Sequence, residues 1–243
     1  MIMSVQEKVL VLHVKTGYED RAAHIENMLK EKGITFEYIT DGDKTDLTPD
    51  ILRQYFAGGM QAVTAPTSCA MKHFYAYEHI IQNNLTGALI MEDDMVLYDN
   101  FIPVFNKCME ERKHRGLSNI LISFEDSNLR FVPRSQRIRG THLYKGACDR
   151  FTGCYYISQE CARQIMDYVS RNKSSLPIDG LHNTLMTNHG LQYYWCHPTI
   201  ATQGTHTGLF QSSISKKSAN RQNYRKHTWK LKLCYKKLLY WFR

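Results

Sequence analysis

Acidic residues run out early in this chain. After Asp179 there are none, although the same stretch carries 10 Lys and Arg. Up to Asp179, 21 Lys and Arg face 23 Asp and Glu, a net of −2, so the formal charge of +8 comes from the C-terminal part. Such polarity points to an anionic partner for that part. Long apolar runs are also missing. The longest, such as Val9-Leu12 and Ala88-Met91, are strand-length, which excludes a membrane span. No basic segment precedes a long apolar stretch near the start, so no secretory signal is expected. The seven cysteines (69, 108, 148, 154, 161, 196 and 234) are an odd set without the two-residue spacing of a zinc knuckle. Reduced, mostly buried thiols in a cytosolic protein are expected. After the first apolar run, His13-Val14-Lys15-Thr16-Gly17 holds a single glycine, which argues against a glycine-rich phosphate loop. No repeat, low-complexity tract or base-reading motif is present, so no nucleic-acid partner is expected.

What is there reads as α/β. A length of 243 residues suits one large domain or two small ones. Lys8-Val14 is a buried strand, Asp20 to Lys32 a helix stopped by Gly33, and Thr35-Thr40 a second strand ending in the turn Asp41-Gly42-Asp43. This β-α-β unit favours a parallel sheet. Residues 43 to 66 are irregular. Ser68 to Gln82 reads as a helix, Ala88-Met91 as a strand, Asn100-His114 as a helix and Ile120-Phe124 as a strand. Residues 125 to 150 resist assignment. Cys154-Ser158 is strand-like, Glu160-Ser170 helical, 171 to 223 loop-rich with short elements, and His227-Phe242 a basic, aromatic helix.

Three carboxylates, Glu92-Asp93-Asp94, follow the Ala88-Met91 strand directly. Ligands of open α/β sheets bind beyond the carboxyl ends of strands. Residues i and i+2 of a strand face one side, so Glu92 and Asp94 can share a site. Adjacent carboxylates repel unless a cation sits among them, and Mg²⁺ or Mn²⁺ takes one or two carboxylates plus substrate phosphates. A solvated acidic turn is the plain alternative.

The stretch Ser68 to Leu97 resembles glycosyltransferase family 25, the lipopolysaccharide and collagen galactosyltransferase group. It pairs Cys69-Ala70-Met71-Lys72-His73 with Leu89-Ile90-Met91-Glu92-Asp93-Asp94-Met95, and departs from the family in having Lys72 where a serine is usual. Arg21, Asp41-Gly42, Tyr155-Tyr156-Ile157-Ser158 with Ala162, Pro177-Ile178-Asp179, and Pro198 to Ile214 with Gln203 and Ser212-Ser213-Ile214 are similar too, so the resemblance spans about residues 8 to 214. It implies a GT-A-like nucleotide-diphospho-sugar transferase fold, a mostly parallel central sheet flanked by helices. It also implies a metal held by the acidic motif, and inversion at the sugar carbon. The expected reaction is hexosyl transfer, galactose from UDP-galactose, to a glycan or lipid-linked glycan hydroxyl in lipopolysaccharide or other surface polysaccharide synthesis.

In such a reaction charge grows on the departing diphosphate, where Mn²⁺ or Mg²⁺ is stabilising. Asp94 is the leading ligand, with Glu92 either a second ligand or a ribose contact, and Asp93 an outward partner held by backbone donors. GT-A enzymes often add a C-terminal histidine. His206, in Gln-Gly-Thr-His-Thr-Gly, is the candidate and His197 the runner-up, either being otherwise a surface histidine. Inversion needs a base on the acceptor hydroxyl. Asp179 is the candidate, with a helix N-cap as its alternative and Asp149 and Glu125-Asp126 as weaker ones. His73, Lys15 and Arg21 are candidate donor-binding residues. Two other readings remain open: a metal-dependent nucleotidyl- or phosphoryl-transfer enzyme, and a non-catalytic sugar-nucleotide-binding protein at a membrane.

Residues 1 to 220 are expected to form the transferase domain. Residues 221 to 243 carry 8 Lys and Arg interleaved with Trp229, Leu233 and Tyr240. Such a helix reads as an anchor on an anionic membrane surface, or as a packed helix with a solvated basic face. With the anchor reading, the protein would be cytoplasmic and peripheral on the inner face of the membrane.

Overall fold

The computed structural model describes residues 5–147, 149–211 and 219–243, and for 219–223 the backbone only. Ser212-Ser213-Ile214 and Cys148 lie outside the described residues.

The first half of the chain runs β1 (Lys8–Leu12), α1 (Glu19–Glu31), β2 (Glu37–Ile39), α2 (Pro49–Tyr55), α3 (Ala65–Gln82), β3 (Gly87–Glu92), β4 (Met95–Leu97) and α4 (Phe101–His114). The second runs β5 (Ile120–Ser123), β6 (Leu143–Lys145), β7 (Cys154–Ser158), α5 (Gln159–Asn172), α6 (Ile178–His189), β8 (Gln192–Cys196), β9 (Ala201–Gln203), α7 (Gly204–Thr207) and α8 (Ala219–Trp241). Seven strands form one sheet in the order β2-β1-β3-β7-β5-β8-β6, and β4 pairs with β9 in a separate ribbon. β7 is antiparallel to both its neighbours and β6 to β8, while the other pairs are parallel. Five of the seven strands therefore point one way, the mostly parallel α/β sheet that was expected.

Strand alternation sorts the core onto two faces. Leu10, Leu12, Ala88, Ile90, Tyr155 and Ile157 pack with α3, α5 and α6. Val9, Val11, Leu89, Met91, Cys154 and Tyr156 pack with α1 and α4. Both faces are covered by helices, which explains why β1 and β3 read as unbroken apolar runs.

Helix starts follow ordinary capping chemistry. The Thr48, Thr64 and Ser158 side chains accept from the backbone N–H groups of Ile51, Thr67 and Cys161. The region from 171 to 223 is more ordered than its sequence suggests, since it contains α6, β8, β9 and α7. All six described cysteines are free thiols, four of them buried.

The C-terminal helix begins at Ala219, earlier than expected, and one face of it docks on the domain. The Trp229 ring lies 6.0 Å from His206 and the Tyr240 ring 5.5 Å from Phe131. Both side chains are buried.

Candidate active site

Glu92 closes β3, between β1 and β7, so the acidic triplet emerges from the middle of the sheet. Its backbone is fixed on both sides. The Glu92 N–H donates to the Gly153 carbonyl at 2.8 Å, and the Asp94 carbonyl accepts from the Gly204 N–H at 2.7 Å. Antiparallel pairing of β4 with β9 brings Gly204 to that carbonyl. A Cβ on Gly204 would sit 2.8 Å from the Asp94 oxygen and 2.7 Å from the Phe210 ring, so only glycine fits. Gly204→Ala should cost roughly 1–3 kcal/mol, as overpacking does in tight interiors. Chemical denaturation measures it, and an unchanged midpoint with unchanged slope would show that the turn can yield.

The three carboxylates divide their work. Asp93 is buried and accepts from His13 Nδ1 at 2.8 Å and Arg21 Nη1 at 3.1 Å. It is buried rather than outward, and among the described residues it is held by no backbone donor: two side chains beyond the first strand reach it. Arg21 also donates to the Gln211 carbonyl at 2.6 Å and lies over the Tyr18 and Phe210 rings. Glu92 accepts from Gln203 Nε2 at 3.1 Å. Burial, then the Asp93 charge, pushes its carboxyl above the ordinary range. Asp94 is only 2% exposed, not the surface-facing group that a strand-end turn suggests. Its Oδ1 has no hydrogen-bond partner among the described residues. Burial first and Glu92 second push its carboxyl up to about 7.

An orphaned buried carboxylate oxygen beside a second carboxylate is a poor end state for a protein interior. A hard divalent cation relieves both problems, because it supplies charge and accepts oxygen ligands. Asp94 and Glu92 therefore fit the Mn²⁺ or Mg²⁺ expected from the sequence.

The triplet forms one wall of a cavity of about 350 Å³, whose lining also includes Leu12, Tyr18, Arg21, Cys69, Gln203 and Thr205. Asp43 and Lys72 also line it. Lys72, which the sequence marks only as a departure from the family, is buried and reaches the Thr40 carbonyl at 2.8 Å and Asp43 Oδ1 at 2.7 Å. Burial lowers its pKa, against the opposing pull of Asp43. Gly42 makes this possible: its φ is +92°, and the Lys72 backbone nitrogen lies 3.3 Å from where a Cβ would be. Lys72 and Asp43 were missed as site residues because each looks like a surface charge in sequence. Their only early signal was the Asp-Gly-Asp turn at a strand end.

Lys15 is not among the residues lining the cavity. Its ammonium pairs with Asp46 at 3.0 Å and Asp41 at 3.3 Å on the rim, where it braces the loop after β2. His206 also falls outside the lining. Its ring stacks on Phe151 at 5.2 Å and faces Trp229, while its neighbour Thr205 faces the cavity. The close backbone approach expected of this glycine-rich segment is made by Gly204 instead. His197 packs edge-on against Tyr144, 6.0 Å away, and is not among the lining residues either.

Asp179 lies in the first turn of α6, whose N-cap is Pro177, so it is not the cap itself. It accepts from Thr152 Oγ1 at 2.8 Å. Burial raises its pKa, the Thr152 hydrogen bond opposes this, and the Glu92 charge raises it further; Asp179 itself is not among the residues lining the cavity. Glu125 is buried and accepts from the Gly153 N–H at 2.6 Å, so it supports the loop behind Glu92. Asp126 is held by Tyr98 and Thr199, and Asp149 pairs with Arg130. His73 is fully buried on α3, with Nδ1 2.6 Å from the Tyr155 hydroxyl. A chain of buried contacts continues from Tyr155 to Tyr77 at 2.7 Å and on to His182 Nε2 at 2.9 Å.

Comparison with known proteins gives one sequence match and several structural ones. The model of the family described as glycosyltransferase family 25 (LPS biosynthesis protein) matches residues 7–182. No curated protein matches. Among solved structures, the chain is similar to a glycosyltransferase involved in glycosylation of the major capsid of PBCV-1. That match has 12% identity and a TM-score of 0.42, over 90% of this chain and 98% of that one. It is also similar to mouse xyloside xylosyltransferase 1 in its apo form, at 11% identity and a TM-score of 0.39, over 78% of this chain and 84% of that one.

Proposed function

Since the chain belongs to glycosyltransferase family 25, we propose that it is a metal-dependent, inverting hexosyltransferase. On this reading it moves galactose from UDP-galactose to a hydroxyl of a glycan or lipid-linked glycan in surface polysaccharide synthesis. The observation that carries the proposal is the buried Asp94 carboxyl with its unpartnered Oδ1, set beside Glu92 in the cavity at the end of β3.

In this reading Asp94 and Glu92 hold Mn²⁺ or Mg²⁺, which when bound offsets the charge growing on the diphosphate. Arg21, fixed by Asp93, adds a positive charge at the cavity wall. Gln203 holds Glu92 in place by its 3.1 Å hydrogen bond. Asp179 takes the proton from the acceptor hydroxyl. Its raised pKa makes it a stronger base than an ordinary carboxylate. UDP release from UDP-galactose plus a glycan acceptor, measured with and without Mn²⁺, tests the whole reading. Release that survives removal of all divalent ions would overturn the metal role, and binding without release would favour a non-catalytic sugar-nucleotide receptor.

We also propose that the protein sits on an anionic membrane surface through α8. Among the described residues no helix is long and apolar enough to cross a membrane. On α8, however, Tyr224, Leu231, Tyr235 and Leu238 are exposed, as is Phe242 just beyond its end. The last four are spaced 4, 3 and 4 residues apart, which makes one apolar stripe. At 100° per residue this stripe lies opposite the buried Trp229 and Tyr240, with Lys230 and Lys232 on its two flanks. The helix thus docks on the domain with one face and offers an anionic membrane the other, combining the two alternatives read from the sequence. Deleting it would uncover Phe131 and His206, so surface substitutions are the better probe. Leu231→Ser/Leu238→Ser/Phe242→Ser should abolish sedimentation with phosphatidylglycerol vesicles at low salt and leave the circular dichroism spectrum unchanged. Equal sedimentation of variant and wild type would sink the membrane role. Wild-type binding should also weaken as salt rises.

A further inference from the structure

Cys69 and His73 stand four residues apart on α3, so both side chains fall on one face of the helix. The alternation of β3 sends Glu92 toward the same side of the sheet as Ala88 and Ile90, the side that α3 covers. The three side chains converge. Cys69 Sγ lies 3.7 Å and His73 Nε2 3.9 Å from Glu92 Oε1, and one donor atom from each residue falls within 4.8 Å of the others. Bonds of about 2.0–2.3 Å from Zn²⁺ to N, O and S would draw such a set together with only small side-chain movement.

A second observation points to a ligand at this place. His73 is fully buried, and its Nε2 has no hydrogen-bond partner among the described residues. Its other ring nitrogen meets the Tyr155 hydroxyl at 2.6 Å, and that hydroxyl is held in turn by Tyr77. This fixes the ring with Nε2 toward Glu92. Histidine metal ligands are held in the same manner, by a hydrogen bond at the remote nitrogen.

We propose that Cys69, His73 and Glu92 form a site for a thiolate-preferring divalent ion, Zn²⁺ fitting best, with a fourth position open to the cavity. Cys69 and Glu92 both line that cavity, so the open position faces it. One sulfur, one nitrogen and one oxygen donor suit tetrahedral Zn²⁺ and do not suit Mg²⁺, which demands oxygen ligands in an octahedron. On binding, the Cys69 S–H bond breaks, a sulfur–metal bond forms and the proton passes to solvent. The site shares Glu92 with the oxygen-only position at Asp94. Zn²⁺ there would compete with Mn²⁺ for that carboxylate and inhibit Mn²⁺-supported turnover. The geometry of the site stands apart from the transferase reading, and only this inhibition depends on it.

Cobalt reports the thiolate directly. A Cys148→Ser/Cys234→Ser reference protein, stripped of metal, is titrated with Co²⁺ and followed by the near-ultraviolet thiolate-to-cobalt absorption band. One equivalent should bind and be displaced by Zn²⁺. Adding Cys69→Ser should remove the band with no change in circular dichroism. His73→Gln should do the same, and Tyr155→Phe should weaken binding by roughly 10–100-fold. No band in the reference protein, or a band undiminished by Cys69→Ser, overturns the proposal. A cobalt band without UDP release under any condition leaves the metal site standing and removes the transferase reading. UDP release without a band does the reverse.

Discussion

Asp94→Asn should lower metal-supported turnover by roughly three orders of magnitude and, in the metal-free protein, raise stability at pH 8. The two effects share one cause. The buried Asp94 carboxyl is pushed from 3.8 up to about 7, first by burial and then by Glu92. The folded protein therefore keeps a proton there that the unfolded chain releases. This group's stabilising contribution is full below about pH 4 and is lost as pH rises through about 7. Asparagine has no such loss. The stability gap between variant and wild type should open across that window and level off at a few kcal/mol. The pKa difference sets an upper figure of about 4 kcal/mol, which coupling to Glu92 reduces. Mn²⁺ should reverse the gap, because it stabilises the ionised form in the wild type alone. Denaturant titrations at pH 4.5 and 8, with and without Mn²⁺, measure all of this. A variant that tracks the wild type through the window, or that releases UDP at the wild-type rate, would remove Asp94 from the metal position.

Asp179→Asn should reduce turnover by about 10²–10⁴-fold, the range in which general acid–base groups contribute. Affinity for UDP with Mn²⁺ should hardly change. Asparagine keeps an oxygen to accept the Thr152 hydroxyl at 2.8 Å, so the first turn of α6 stays in place. What goes is the capacity to take a proton. In the wild type the acid limb of the pH–rate profile should lie above the ordinary carboxylate range, because burial and Glu92 raise this pKa. In the variant that limb should vanish. An equal loss of donor binding would place Asp179 in the donor site or the fold rather than on the acceptor.

β1 and β3 are legible in the sequence because both their faces are covered, so each holds an unbroken aliphatic run, while β2, which reads Glu-Tyr-Ile, is marked only by Gly33 before it and the Asp41-Gly42-Asp43 turn after it. β8 was missed for a chemical reason. It reads Gln-Tyr-Tyr-Trp-Cys, with no aliphatic residue, although Tyr193 is almost wholly buried. α6 was obscured by Gly180, Asn183, Thr184, Thr187 and Asn188, poor helix formers whose cost is met by burying Ile178, Leu181, His182 and Leu185. α2 is seven residues long, too short to show a period. At the site, the acidic triplet was legible as a unit, since it needs no partner to be noticed. The Lys72–Asp43 pair, the Asp93 clamp on His13 and Arg21, and the packing of His206 against Phe151 were not. Each depends on two segments far apart in the chain, and spacing along one segment carries no trace of the other.

The reversed strand β7 has a consequence for the order of assembly. In the sheet order it lies between the three-strand block β2-β1-β3 and the three-strand block β5-β8-β6. It lies some sixty residues beyond β3 and thirty beyond β5 in the chain. As the protein leaves the ribosome, β3 and β5 each keep an unpaired backbone edge until Ser158 has emerged, and β5 keeps its other edge until Cys196 follows. Pairings this distant close slowly, because the intervening loop entropy must be lost before any ladder bond forms. Open apolar edges invite pairing with other nascent chains in the meantime. The newborn chain therefore loses these open edges in two steps, first at β7, which joins the two halves around the site, and last at β8.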